Sequence, residues 1–177
     1  MPFAHDTETS LLAAVALVNS LGPPDTMLST GQLAAFFVEH GYTGARTGDE
    51  AELAAVRALR PGLRVLLTSE RDDAVAIVNR MLAEAGALPQ LVRHGDTDWH
   101  LHAAGPDRPL ATRIAVETAM AMVDVIRADE LSRLDLCADD DCQGVVLDLS
   151  RNRSRRYCST TCGNREAVAA YRARQKA

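Results

Sequence analysis

Cysteine is missing from the first 136 of the 177 residues, and Lys176 is the one lysine among 19 basic residues. Aromatics make up 4% of the chain, with a single tryptophan. No apolar run approaches the ~18 residues that a membrane-spanning helix needs, which excludes one. The start, Met1-Pro-Phe-Ala-His-Asp-Thr-Glu-Thr, has no basic stretch ahead of an apolar one, so no signal peptide and a cytoplasmic location are expected. Thiols stay reduced in that compartment. No nucleophile–base–acid set, nucleotide-binding glycine loop or pair of spaced carboxylates stands out, and the chain reads as something other than an enzyme. With 47% apolar and 24% charged residues it reads as soluble and globular, long enough for one ordinary domain and a small appendix.

What the chain does have is gathered near its end. Four residues separate Cys137 from Cys142, three separate Cys158 from Cys162, and fifteen lie between the pairs. Two close pairs with a medium gap fit a closed tetrahedral zinc site, each pair giving two thiolates at ~2.3 Å from the ion. The alternatives are two disulfides, which need an exporting context, or four ordinary buried thiols, which are usually scattered along a chain. Ser159 or Thr160 can cap a helix that runs through Glu166 to Arg174. Cys162 then falls in its first turn, where the positive end of the helix favours thiolate. The first pair belongs to a knuckle ahead of a strand, Gly144 to Leu149. Knuckle, hairpin and ligand-bearing helix read as a treble-clef-like zinc finger holding one Zn²⁺ per chain.

Cys162-Gly163-Asn164-Arg165, preceded by Asp148-Leu149-Ser150-Arg151-Asn152 and Arg155-Arg156-Tyr157-Cys158, resembles the CGNR zinc-finger family of bacterial proteins. In that family the finger follows an N-terminal domain called ABATE, matched here by Leu17-Val18-Asn19-Ser20 and by the general layout. The resemblance implies a stress-related transcription regulator with DNA as its partner, and a preceding domain that senses a small-molecule ligand or supports dimerisation. Two departures stand out. Many members carry one more residue between the last two cysteines, so a tighter ligand turn is expected, and an aromatic common near Val146-Leu147 is absent.

Charge is divided unevenly. Residues 151–177 carry eight Lys or Arg against Glu166, a formal +7, and the remainder carries −12, for a total of −5. A basic tail on an acidic body suggests an anionic partner, nucleic acid above all. Arg151, Asn152, Arg153, Arg155 and Arg156 are the candidate contacts, since the guanidinium fork fits phosphate or guanine. Alternatively these arginines form a solvated loop or balance the charge of about −2 that four thiolates leave on Zn²⁺. Arg165, three residues after Cys162, and Arg172, two turns further on, lie on the metal side of the helix. Arg165 therefore reads as a support for the ligands before a DNA contact, and Asn164 is open to either role. Val168 and Tyr171 are expected to pack the finger's small core, and Asp139-Asp140-Asp141 to form a solvated turn. One finger of about forty residues covers too little DNA for high affinity, so a homodimer on two half-sites is expected. The rival functions are a zinc-stabilised protein–protein interaction module and a thiol redox switch.

The first 130 residues read as helices at Asp6–Asn19, with Leu11, Leu12, Val15 and Val18 on one face, and Gln32–Glu39, capped by Thr30. A third helical stretch, Asp49–Thr68, is expected to kink or split near Pro61. A fourth runs from Asp72 or Asp73 to Ala85, ended by Gly86. The last, Leu110–Ala128, buries Ile114, Met120, Ala121, Val123, Val125 and Ile126. Between the last two, Gln90–His94 and Asp98–His102 read as a hairpin turning at Gly95-Asp96-Thr97. His100 and His102 share one face of it, where two histidines could bind a second metal or line a ligand pocket; with no carboxylate or third histidine at ligand spacing, they read as polar residues on a wet surface. The fold class is α+β: a mostly helical domain over 1–130 with one β-hairpin, then the finger over 131–177.

Overall fold

Leu11, Ala14, Leu17 and Val18 recur at three- and four-residue spacing and bury one side of α1 (His5–Asn19). The computed structural model describes residues 3–94 and 97–176, the side chains of His94, Thr97 and Lys176 excepted. Gly95 and Asp96, where the hairpin turn is expected, lie outside the described residues. α2 (Thr30–Glu39) opens on a capping box in which Ser29 rather than Thr30 is the cap. Pro61 divides the third helical stretch into α3 (Glu50–Ala58) and α4 (Arg60–Leu67), falling in the first turn of α4, where its missing N–H breaks no hydrogen bond. α5 (Arg71–Ala85) stops at Gly86, whose φ of 58° is left-handed. β1 (Gln90–His94) and β2 (Thr97–His102) pair antiparallel, and α6 (Leu110–Arg127) follows.

α6 packs against α1, α3 and α5, which widens its buried arc. Met122 and Val116 are enclosed and Met120 is only half-buried, while Leu12 of α1 is exposed. Periodicity alone could not place these, because it does not say how many neighbours a helix has. Asp25 grips the buried guanidinium of Arg60 through two hydrogen bonds of 2.9 and 3.1 Å, tying the turn after α1 to the start of α4. Those bonds, followed by one from the Met27 N–H, hold the Asp25 carboxyl below the usual carboxylate range.

The β1–β2 hairpin is turned against expectation. Leu91, Trp99 and Leu101 face outward, Trp99 at 63% exposure, and the half-buried His100 and His102 take the opposite face. The histidines therefore lie on the half-covered face, His102 lining a cavity rather than an open surface. His102 lies 3.6 Å from the carboxylate of Glu117 on α6, a partner far away in sequence.

After a 3₁₀ turn at Leu131–Arg133, β3 (Leu134–Leu136) pairs antiparallel with β4 (Val145–Leu147), and α7 (Thr160–Lys176) closes the chain. β4 alternates sharply: Val145 and Leu147 join the helical core, while Val146 joins the cysteines. Asn19, the last residue of α1, offers its side-chain amide to the edge of β4 as a neighbouring strand would. Its Nδ2 donates to Val145 O at 2.8 Å and its Oδ1 accepts from Val145 N at 2.7 Å. Arg64 of α4 donates to the carbonyl of Gln143. No free linker separates the helical part from the tail; the two share one core.

Asn19→Ala leaves an N–H and a C=O of fully enclosed Val145 without partners, which costs roughly 2–4 kcal/mol. Urea unfolding of the metal-loaded protein is expected to show a stability loss of that size, read as a lower midpoint at unchanged slope. An unchanged midpoint rules out the clamp.

Candidate metal centre

The knuckle is the tip of the β3–β4 hairpin. Beyond β3 the ladder continues for one more bond, Cys137 N to Gly144 O at 2.8 Å, and the chain turns between them. Cys142 N donates to Asp139 O at 2.8 Å, and Asp141 N to Asp139 Oδ1 at 3.1 Å, a turn closed by its own aspartate. Asp148 shapes the following loop in the same manner, accepting from the N–H groups of Ser150 and Arg155 at 2.8 and 2.7 Å. That loop returns to the knuckle through Ala138 N to Arg156 O at 2.9 Å. Ser159 then caps α7, its Oγ accepting from Cys162 N at 3.2 Å. Cys158 lies just ahead of the helix and Cys162 in its first turn.

These elements bring all four sulfurs within 4.8 Å of one another. Cys158 Sγ is 3.5 Å from Cys142 Sγ and 3.7 Å from Cys162 Sγ. A tetrahedron of thiolates at ~2.3 Å from a zinc-sized ion has edges of ~3.8 Å, so the donor set fits such an ion with side-chain shifts of about an ångström at most. Gly144 N donates to Cys142 Sγ at 3.3 Å, Cys158 N to Cys137 Sγ at 3.4 Å and Ser159 Oγ to Cys162 Sγ at 3.4 Å. Burial raises the Cys137 thiol, but backbone hydrogen bonds from Cys158 and Asp139 together with those from the Cys158 and Cys142 thiols outweigh it and leave it below its ordinary value. Burial, and then hydrogen bonding with the other thiols, pushes Cys158 far up. Sulfurs this close cannot all ionise unless a cation lies among them.

A Cβ at residue 144 would meet Cys158 Sγ at 2.7 Å and Cys142 Sγ at 3.3 Å, so glycine is what lets the strand begin against the sulfurs. A glycine two residues after a ligand is a signal visible in the sequence. Asp139 carries none. It is 1% exposed rather than solvated, and its Oδ2 makes a charge contact of 2.9 Å with Arg165 that lacks hydrogen-bond alignment. Arg165 thus braces the knuckle through a carboxylate and not through a sulfur or carbonyl.

The basic loop divides into two groups. Arg153 binds Glu130 at 2.7 Å and Ser132 at 3.0 Å, and Arg155 donates to the carbonyls of Tyr157 and Cys158 at 3.4 and 3.3 Å. Arg151, Asn152 and Arg156 are exposed and have no side-chain partner among the described residues. Asn164 and Arg172 are exposed on α7. Val168 and Tyr171 are exposed as well, at 46% and 58%, so they do not pack the finger's core. That core is filled by Val146, Tyr157 and the cysteines, and α7 leaves it after about one turn.

A model of the CGNR zinc finger matches residues 133–175. The ABATE model, described as "Putative stress-induced transcription regulator", matches residues 12–129, more than half of the chain. The chain belongs to the ABATE–CGNR family. A search of curated proteins finds no match to it. In this ABATE–CGNR chain the finger match holds all four cysteines. The ABATE match holds Asn19 and Arg64, the two residues that reach across to the finger's hairpin.

Gly144→Ala pushes a methyl against two ligand sulfurs. Overpacking of this kind costs ~1–3 kcal/mol, so metal affinity is expected to drop roughly five- to hundred-fold in a competition titration with a chelator. Wild-type affinity in the variant means that the strand can move away from the sulfurs.

Proposed function

We propose that this protein is a DNA-binding transcription regulator whose finger is held together by one Zn²⁺ on Cys137, Cys142, Cys158 and Cys162. Bound there, the ion supplies structure and not catalysis, because four thiolates complete its shell. α7 carries the proposal. From Ala167 to Gln175 every residue is exposed, and the stretch presents Arg172, Arg174 and Tyr171. A helix with no packed face draws little stability from its own chain and gains it from a partner. The excess of arginine makes that partner a polyanion. Arg151, Asn152 and Arg156 supply the loop contacts, while Arg153 and Arg155 fix the loop's shape.

The ABATE domain is proposed to sense a small molecule or to pair two copies of the chain. A cavity of about 380 Å³, lined by Val92, His102, Arg113 and Glu117 among others, supports the first role. The outward apolar row of Leu91, Trp99 and Leu101 supports a homodimer.

Fluorescence anisotropy with a random duplex across salt concentrations tests the DNA reading. The metal-loaded protein is expected to bind within or below the ~10⁻⁴–10⁻⁶ M non-specific range, with each phosphate contact adding about −0.9 to the slope of log K against log salt. Arg151→Ala and Arg156→Ala each flatten the slope by about 0.9, whereas Arg153→Ala leaves it nearly unchanged. Absence of binding at low salt, or binding indifferent to chelation, favours a protein–protein module instead.

A further inference from the structure

We propose that the cavity beside the start of α6 binds a small carboxylate with an apolar body, its charge held by Arg113 and faced by Arg108. The inference rests on the sensing role proposed above for this cavity and gives that role a ligand class. Arg113 is 3% exposed and gives three of its five N–H groups to main-chain carbonyls. Nε donates to Arg108 O at 3.0 Å, and the two Nη atoms donate to Thr43 O and Ala45 O. Two N–H groups remain, at the wall of a cavity of about 380 Å³.

Carbonyls satisfy the guanidinium's hydrogen bonding and bring no negative charge. The carboxylates whose field reaches Arg113 are directed elsewhere. Glu52 pairs with Arg46 at 3.3 Å and accepts from the N–H groups of Thr47 and Gly48, while Glu117 faces His102 at 3.6 Å. A buried cation without a contacting counterion is costly, and an anion in the cavity supplies one. Arg113 lies in the first turn of α6, whose start has neither a side-chain cap nor an acid, so the helix end adds positive potential there. Arg108 lines the cavity as a second cation. Burial pushes the Glu117 carboxyl up to about 7, although Arg113 and His100 pull the other way. Near neutral pH it is protonated in a large fraction of molecules and donates to a carboxylate instead of repelling it. An ammonium ion would share the space with two arginines.

The rim is built before any ligand arrives. Gly44, at φ 89°, lies so close to the next loop that a Cβ would fall 2.5 Å from Pro106 O, and Ala45 N donates to the same oxygen at 2.7 Å. Arg113 ties both loops together, so little ordering accompanies binding. Leu88, Val92, Ala103 and Pro106 offer apolar wall to the body of the ligand. Facing Glu117 are Arg113 on its own helix, His100 and His102 on β2, and Tyr42 between α2 and α3. Asp6 and Asp124 share a second, smaller cavity with it.

The zinc-loaded full chain is titrated by NMR with butyrate, hexanoate, benzoate and phenylacetate, each beside its matched amide and amine. At least one carboxylate is expected to bind roughly tenfold more tightly than its amide and amine, and to shift the Arg113 Nε–H resonance. Raising the pH from about 6 to about 8.5 weakens it severalfold as Glu117 ionises, and Glu117→Gln removes the carboxyl's share of that fall. Arg113→Lys keeps the charge, loses the fork and weakens binding about tenfold. Arg108→Gln, at the exposed rim, weakens it about two- to threefold. Should Arg113→Lys fail to fold, the Arg108 and Glu117 variants and the Nε–H shift decide. Preference for an amide or amine, or carboxylate binding that leaves the Arg113 resonance unmoved, overturns the ligand class and leaves the sensing role standing. No binding by any compound of the panel overturns both.

Discussion

Three residues, Val145-Val146-Leu147, are buried on both faces of a strand, and the rest of the molecule is arranged to allow it. One face closes the helical core and the other closes the cysteine cluster. Enclosing Val145 and Leu147 contributes roughly 3–6 kcal/mol, comparable with the whole stability of a small domain. A finger of about forty residues is below the size at which a chain usually builds a sufficient core of its own. Here it draws on the core of the helices, and the Asn19 amide pairs the edge of the strand that β3 leaves open. Metal centre and helical body are therefore two sides of one wall.

The same economy governs charge. The formal +7 of the tail overstates what it presents to a partner, because Glu130 and Asp139 hold Arg153 and Arg165. The exposed arginines with no side-chain partner among the described residues lie in the loop at Arg151 and Arg156 and along α7 at Arg172 and Arg174. Four contacts of this kind give non-specific affinity and little more, since specific recognition by a single small module buries only ~600–1,000 Å². In the proposed mechanism two copies reading two half-sites make up the difference, and the outward-facing hairpin is proposed as the apolar surface that pairs them.

What the sequence showed well was local. Cysteine spacing marked the ligands' neighbourhood because both pairs are turn-sized. Gly86, Pro61 and the spacing of Leu11 and Val18 placed helix ends and faces because propensity and periodicity act within a few residues. What it hid was long-range. Asp139 looked like one of three solvated acids, and only the return of α7 past the knuckle gives it Arg165. β3 is three residues with an aspartate in the middle, too short for a pattern. Val168 and Tyr171 have the spacing of a core face, but no second element covers them among the described residues. His100 and His102 carried the correct alternation and no indication of which side was inside; that was decided by Glu117, fifteen residues past His102 on a different element.

The shared core also limits how the two halves can communicate. In the proposed sensing role, a ligand beside His102 and Glu117 would act first on α6, which packs along α1, and α1 ends at the Asn19 clamp on β4. Packed cores do not deform continuously, so a signal needs two discrete arrangements along this route. Sliding α1 relative to β4 would break both Asn19 bonds, at a cost of roughly 2–4 kcal/mol. Measured coupling energies between sites are about 1–3 kcal/mol. The ranges overlap, so one ligand's preference between two states is enough to set the clamp. A looser joint would let the finger move without the ligand, and one buried much more deeply would not let it move at all.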